Sequence, residues 1–242
     1  MKSFELIYRF CEPGFPVIYK RVRRILTSLA KTLAFRPRFL DIGGRKSHYT
    51  IGVPANITIT DLTRTSATQH QLHLGINAEI AHTIRARRSN VESVLIDDMR
   101  RSSLSSASFD CAMAVEVLEH VDDDVAFLRE VKRVLKPKGM FIMTTPNGDF
   151  VRNINPDHKR HYCRKDLEKL LQREFECVDV RYASPGTKFY EMALRSWSVA
   201  RPFQTVLTYI GGVINSVEDR FASQTADGVG MQELIAVARR SH

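Results

Sequence analysis

Phe39-Leu40-Asp41-Ile42-Gly43-Gly44-Arg45 decides how this chain is read, because a short apolar run meets an acidic residue and then paired glycines. Glycine lacks a Cβ and reaches backbone angles closed to other residues, so a Gly pair after a buried strand permits a tight turn and close approach to a bound group. An acid at the strand's end disfavours phosphate there. Neither the G-x-G-x-x-G dinucleotide fingerprint nor the G-x-x-x-x-G-K-[ST] phosphate loop is present. A cationic or neutral ligand is expected, with an ordinary strand-to-helix turn as the alternative this segment leaves open.

Outward from this stretch, apolar and β-branched runs at 57–62, 94–96, 109–115 and 140–145 alternate with helical segments. Residues 122–136 read most clearly as a helix: Asp122 can cap it, Val125, Leu128, Val131, Val134 and Leu135 line one face, and Pro137 with Gly139 ends it. Residues 164–171 follow as a helix, and 176–182 and 233–237 as strands. Strands separated by helices imply parallel pairing through crossovers, hence a doubly wound α/β sheet. Ligands in such sheets bind at the carboxyl ends of the strands, where Asp41, Asp61, Asp98 and Glu116 fall.

The 242 residues are enough for one large domain with a sizeable core, and 43% hydrophobic with 26% charged residues are ordinary globular values. No apolar run reaches the roughly 18 residues that span a bilayer, and the start lacks a signal peptide's apolar core, so a cytoplasmic location is expected. The four cysteines stand far apart, without the C-x-x-C pairs of zinc or redox sites. They are expected to be reduced, with Cys111 as strand packing.

Residues 1–38 hold nine Lys or Arg against Glu5 and Glu12, a local +7 of the chain's net +9. The remainder is nearly balanced, which disfavours nucleic acid as a partner and makes a basic arm the feature to explain. Within it Ile18, Val22, Ile25, Leu26, Leu29 and Leu33 recur at helical spacing between Pro16 and Pro37. The arm, residues 1–37, is expected to be one amphipathic basic helix ahead of a catalytic domain at 38–242. Its apolar stripe would pack on the core or, alternatively, residues 16–36 would make a peripheral membrane contact. Residues 184–228 form a connection too long to lack structure, with Phe189, Met192, Trp197, Val206, Ile210, Val213 and Val217 at helical intervals, and read as a helical cap over the ligand cleft. His48, His70, His73 and His82 stand in polar stretches and are expected to face solvent, as is the run 85–88.

The order of motifs resembles the class I S-adenosylmethionine-dependent methyltransferases over residues 38–183 plus the final strand. The resemblance rests on Phe39 to Gly44, Asp61, Asp98-Met99, Phe109-Asp110, Glu116-Val117-Leu118-Glu119-His120, Leu135-Lys136-Pro137-Lys138-Gly139 and Thr144-Thr145-Pro146-Asn147. It implies a seven-stranded, mostly parallel sheet with an antiparallel last strand, and S-adenosylmethionine as cofactor. Gly43 and Gly44 would admit the methionine portion, Asp41 would organise the loop near its ammonium, and Asp61 would accept the ribose hydroxyls. Asp98 would take the adenine amino group, with Met99 contributing backbone and an apolar ring face, and Glu116 would contact the cofactor. The sequence departs from the family where Arg45, Lys46 and Ser47 stand in place of a third glycine and where 48–54 form a poor helix. The stretch between Asp61 and Asp98 is also long, so the adenine contact falls on Asp98 or a neighbour.

Methyl transfer from a sulfonium is an in-line displacement, and an acceptor hydroxyl must still lose its proton. Glu116, His120 and His158 are the expected catalytic groups, with His161 and Tyr162 as further candidates for the base. The E-x-x-E-H run at 116–120 with His158 resembles small-RNA 3′-end methyltransferases and, in its first part, ubiquinone-pathway O-methyltransferases, in which such residues hold Mg²⁺. A metal is the lesser reading, and the metal ligands are left unassigned. The acceptor is expected to be a small molecule, a glycan or a lipid-linked intermediate methylated on oxygen. The rivals are RNA ribose 2′-O-methylation with a divalent metal and a cofactor-binding scaffold without catalysis.

Overall fold

The computed structural model describes residues 2–63, 75–195, 197, 200–222 and 228–241. Seven strands form one sheet: β1 (Arg38–Ile42), β2 (Asn56–Asp61), β3 (Val91–Ile96), β4 (Phe109–Val115), β5 (Leu135–Pro146), β6 (Glu176–Pro185) and β7 (Met231–Arg239), in the order β3-β2-β1-β4-β5-β7-β6. Strands β1 to β5 pair in parallel, whereas β7 runs antiparallel to both β5 and β6. The order reverses between β1 and β4, which places a crevice at their carboxyl ends.

Four of the five residues of β1 are buried, as a central parallel strand covered on both faces requires. On one face Leu40, Ala112, Phe141 and Met143 meet helices α4 (Asp124–Val134) and α5 (Arg164–Gln172) through Phe127, Leu128, Val131, Leu167 and Leu171. On the other, Phe39, Ile57, Ile59, Cys111, Met113 and Ile142 receive Ile18, Val22 and Leu26 of α2 (Val17–Thr32). Helix α3 (Ala78–Arg87) covers the β3 side. Helix α4 starts two residues later than the sequence predicts, because Asp123 rather than Asp122 caps it by accepting from the Ala126 N–H at 2.9 Å. Strand β5 then begins at once at Leu135, with Lys138 in the left-handed region at φ 63°.

The basic arm is two helices rather than one. Helix α1 (Ser3–Cys11) precedes a 3₁₀ turn (Glu12–Gly14), and Pro16 caps α2. Val22 and Leu26 are fully buried, each contributing about 1.5–3 kcal/mol of hydrophobic stabilisation. A membrane contact through the apolar stripe of 16–36 is therefore corrected: the stripe is spent on the sheet. Three of the arm's charges are likewise turned to internal use. Arg21 pairs with Asp219 at 2.5 Å and Arg23 with Glu12 at 3.0 Å. Lys20 donates to the carbonyls of Pro13 and Gly212 at 2.7 and 3.2 Å, and burial pushes its ammonium down to about 8.

The 184–228 insert is helical where described, as α6 (Lys188–Ala193) and α7 (Pro202–Phe221). A Cβ on Gly212 of α7 would stand 2.0 Å from the carbonyl oxygen of Gly14, so this glycine lets insert and arm meet backbone to backbone. No helix among the described residues is long and apolar enough to cross a membrane. All four cysteines are free, and Cys111 is buried in β4 as expected.

Candidate active site

The donor half of the site lies at the ends of β1, β2 and β3. Gly43 follows β1 with φ 67°, which lets the chain turn without strain, and a Cβ there would meet the Val117 side chain at 2.8 Å. Gly44 sits against Asp41, whose carboxyl carbon would be 2.3 Å from a Cβ at 44. A 3₁₀ turn (Gly44–Lys46) replaces the longer helix usual after such a strand, in keeping with Arg45 to Ser47 and the poor helix-forming run behind them.

Asp41 is fully buried and fully engaged. It accepts the Tyr49 hydroxyl at 2.8 Å and the Thr50 hydroxyl at 3.3 Å. Arg88 donates to the Ser47 hydroxyl at 3.2 Å and to Thr50, closing a network beneath the loop. Burial raises the Asp41 carboxyl, and hydrogen bonding together with the Arg88 charge opposes that rise. The organising role expected of Asp41 has a physical basis here, while Tyr49, Thr50 and Arg88 carry no signal in the sequence. Arg88 corrects the expectation of a solvated 85–88 run: Arg85 and Arg87 are exposed, but Arg88 is buried under the loop. His48 is a second correction. Its ring packs among Tyr8, Phe15 and Tyr19 and meets the Tyr8 hydroxyl, and burial pushes its imidazole down to about 4. His82 is exposed as expected, whereas His70 and His73 lie outside the described residues.

Asp61 ends β2 with Oδ1 accepting the Leu62 N–H at 2.8 Å. Asp98 caps a short 3₁₀ turn and is clasped by Arg100 at 2.7 and 3.0 Å, contacts that lower its carboxyl. Its neighbour Asp97 holds Ser103 through Oδ1 and keeps a buried Oδ2 without a hydrogen-bond partner among the described residues. That orphaned oxygen favours the one-residue slip to Asp97. Met99 is buried in the core, which corrects the expectation that its side chain offers an apolar ring face.

The acceptor half is built around β4, β5 and β7. Glu116 follows β4 with φ 56°, a left-handed backbone that costs a non-glycine residue roughly 1–2 kcal/mol. It is held there by its N–H to the Thr144 carbonyl at 3.2 Å and by the Thr144 hydroxyl on its carboxylate at 2.8 Å. Glu119, one 3₁₀ turn on, is fully buried, and neither of its carboxylate oxygens has a hydrogen-bond partner among the described residues. Glu233 of β7 is buried beside them. Its Oε1 accepts the Tyr190 hydroxyl at 3.4 Å, and its Oε2 has no partner among the described residues. Burial raises all three carboxyls, and Glu116 raises the other two further by its charge. Glu116 and Glu233, but not Glu119, border a cavity of about 180 Å³ that His158, His161, Tyr190 and Gln232 also line. Tyr19 of α2 is affected by the same acids, its hydroxyl pushed up by burial and by Glu116 and Glu233.

Three histidines are locked in defined tautomers by their acceptors. A carbonyl can only accept, so His161 Nδ1 donates to Val151 O at 3.0 Å and its Nε2 accepts from His158 Nδ1 at 2.8 Å. His120 Nδ1 donates to Asp157 O at 3.1 Å. His120 and His158 are thus each left with a bare Nε2 lone pair, and Glu119, His120 and His158 each offer a ligand atom within 4.8 Å of the others. The Lys159 N–H on Glu119 O at 2.7 Å ties the two segments together. The structure brings His120 and His158 together with Glu119, and sets Glu116 with His158 on the wall of the cavity. Sequence reasoning missed Glu233 and Tyr190, although an acid inside the apolar run Met231 to Val237 was a usable signal.

The sheet order, with its reversed antiparallel β7, and the site at the carboxyl ends of β1, β2 and β4 define the class I methyltransferase architecture. Residues 41–143 match the family model of a methyltransferase domain. The chain is 32% identical over 124 residues to a probable S-adenosylmethionine-dependent methyltransferase of Mycolicibacterium smegmatis, covering 49% of this chain and 48% of that one. It is 30% identical over 147 residues to a ubiquinone biosynthesis O-methyltransferase of Xanthomonas oryzae pv. oryzae, covering 54% and 56%. The chain thus spans about half the length of these curated relatives. Among solved structures, an S-adenosylmethionine-dependent methyltransferase from Archaeoglobus fulgidus superposes with a TM-score of 0.55 at 16% identity, over 90% of this chain and 94% of that one. The 1,6-didemethyltoxoflavin-N1-methyltransferase of Burkholderia thailandensis, which has S-adenosylhomocysteine bound, superposes with a TM-score of 0.55 at 17% identity, over 94% and 80%. Residues 41–143 are thus similar in sequence to S-adenosylmethionine-dependent methyltransferases, and the sheet around them has the fold of those enzymes.

Proposed function

We propose that the chain transfers the methyl group of S-adenosylmethionine to an oxygen of a small-molecule, glycan or lipid-linked acceptor seated in the cavity between Glu116 and Glu233. The observation that carries this reading is the pair of bare imidazole nitrogens on His120 and His158 beside the buried Glu119. The bound cofactor supplies an electrophilic methyl on a sulfonium. Gly43 and Gly44 would let the loop backbone approach its methionine portion, Asp61 suits its ribose hydroxyls, and Asp97 or Asp98 its adenine amino group. Burial and the neighbouring histidines lower the His158 imidazole, keeping it neutral and able to take the acceptor's proton. Glu116 positions the acceptor at the rim, and exclusion of water by Tyr190 and the insert favours collinear approach.

A second reading is favoured by one observation, the orphaned Glu119 carboxylate. With the His120 and His158 nitrogens it forms a mixed oxygen and nitrogen donor set suited to a divalent ion such as Mg²⁺ or a softer metal. Such an ion would lower the pKa of a coordinated hydroxyl. An RNA ribose is the alternative acceptor for this arrangement.

Isothermal calorimetry with S-adenosylhomocysteine, followed by transfer of labelled methyl to fractionated extract, tests the proposal. Binding in the micromolar range is expected, with product in an organic-extractable or glycan fraction; no binding at millimolar ligand would sink it. The expected effect of His158→Ala is a fall in kcat of about 10²-fold or more with cofactor affinity unchanged. Full activity in chelator removes the metal, and labelling confined to RNA replaces the acceptor.

A further inference from the structure

The outer face of α7 is used neither by the fold nor by the site. Phe203, Val206, Ile210, Val217 and Phe221 recur at intervals of 3, 4, 7 and 4 residues, which places them along one line of the helix. All five are exposed, Phe203 to 76% and Phe221 to 82%. The opposite face, with Thr208, Gly211, Gly212 and Asn215, is already buried. The line is about 27 Å long at the rise of an α-helix and crosses no charged position.

The helix's charges are sorted in a way that identifies the occupant. Both of its acids are held by neighbouring groups: Glu218 accepts from Thr187 and Asn215 at 2.7 and 3.2 Å, and Asp219 is paired with Arg21. Its arginines are exposed, Arg201 at the N-terminal end and Arg220 beside Phe221, and neither forms an ion pair among the described residues. An apolar line with a cation at each end complements a surface that is apolar beneath and anionic at its face. It does not complement itself. A second copy would bring Arg201 opposite Arg220 in the antiparallel arrangement, and like opposite like in the parallel one.

We propose that this face of α7 seats the protein on an anionic lipid surface, lying in the headgroup plane rather than crossing it. The surface differs from the one the sequence suggests, since the stripe of α2 is buried. Helix α6 packs on α7 and supplies Tyr190 to the cavity proposed for the acceptor. The proposal does not depend on methyl transfer and can fail without it.

The test is flotation of the full chain with vesicles of phosphatidylcholine containing about one-third phosphatidylglycerol, against pure phosphatidylcholine, at low salt. Co-flotation with the anionic vesicles only is expected. Arg220→Glu should lower partitioning at least about fivefold, and Val206→Asp with Val217→Asp about tenfold or more. These positions are exposed, so circular dichroism melts should be unchanged, and Arg220→Glu keeps the test readable should the double variant unfold. Absence of flotation with anionic vesicles, or unchanged flotation of both variants, overturns the proposal. So does a concentration-dependent dimer in sedimentation that the double variant dissolves, since the face would then belong to a second copy.

Discussion

Asp41 and Glu119 are both fully buried carboxylates at the carboxyl edge of one sheet, yet they are treated in opposite ways. Asp41 is met by Tyr49 and Thr50, with Arg88 and Ser47 completing the network, whereas both oxygens of Glu119 lack a hydrogen-bond partner among the described residues. A buried polar group left without hydrogen bonds costs about 1–3 kcal/mol even when burial keeps it protonated, so the unsatisfied Glu119 carboxyl calls for an explanation other than stability. The contrast teaches that the donor half is prebuilt from the chain's own groups. The proposed acceptor half leaves Glu119 and one oxygen of Glu233 without a partner among the described residues.

Substitution should expose this difference most strongly. Asp41→Ala strands the Tyr49 and Thr50 hydroxyls beneath the loop and should cost about 3–5 kcal/mol in urea unfolding, while Glu119→Gln should be neutral or stabilising. Equal losses for the two variants would abolish the comparison. Next in size is cofactor affinity. Asp61→Ala should weaken S-adenosylhomocysteine binding tenfold or more, about 1.4 kcal/mol, because a carboxylate at that strand end can take both ribose hydroxyls; unchanged calorimetric affinity would falsify the assignment.

A third, smaller effect follows from titration. Glu233 has its folded-state carboxyl raised above the unfolded value, to about 8, by burial and then by Glu116. A raised folded pKa gives stability that is fully present below the unfolded pKa and lost as pH rises through the folded one. Glu233→Gln should therefore lose less stability than the parent between pH 4.5 and pH 8, seen as a shift in the urea midpoint. A parallel pH dependence in parent and variant would count against Glu233 as an uncompensated acid. The smallest effect is at His48, depressed to about 4 by its aromatic surroundings. Its depressed pKa makes stability fall as pH drops below about 6.5, by roughly 1 kcal/mol before pH 5 after allowing for partial exposure. His48→Phe should flatten that slope in thermal melts, and an unaltered slope would assign it to other groups.

Much of the donor half was legible from local pattern. The run from Phe39 to Gly44 is a buried strand and a turn within a few residues, and Asp61 and Glu116 fall at strand ends because apolar runs mark where strands stop. The doubly wound class followed from alternation alone. The candidate histidines were also visible as residue types, though not their tautomers, which depend on carbonyls of Val151 and Asp157 supplied by the loop after β5. What escaped reading was long-range. Arg88 lies 38 positions from its partner Thr50, and Tyr190 lies 43 from Glu233. No spacing rule connects residues that meet only once the sheet is assembled.

The two amphipathic helices mark the same boundary. Hydrophobic periodicity correctly showed that α2 and the insert each carry an apolar stripe, because period is a property of neighbours along the chain. Which stripe is covered is a property of the assembled molecule: α2 lies on the sheet and hides its stripe, while α7 faces Gly14 with its small residues and leaves its large ones outside. By itself, then, the sequence determined the strand and helix pattern, the sheet class and the acids and glycines at the strand ends, all of which depend on local spacing. Only the tertiary structure decided which buried carboxylates are satisfied, which histidine nitrogens are bare and which apolar face meets solvent. Those are outcomes of packing between segments far apart in the chain, where each group's partner is chosen by geometry.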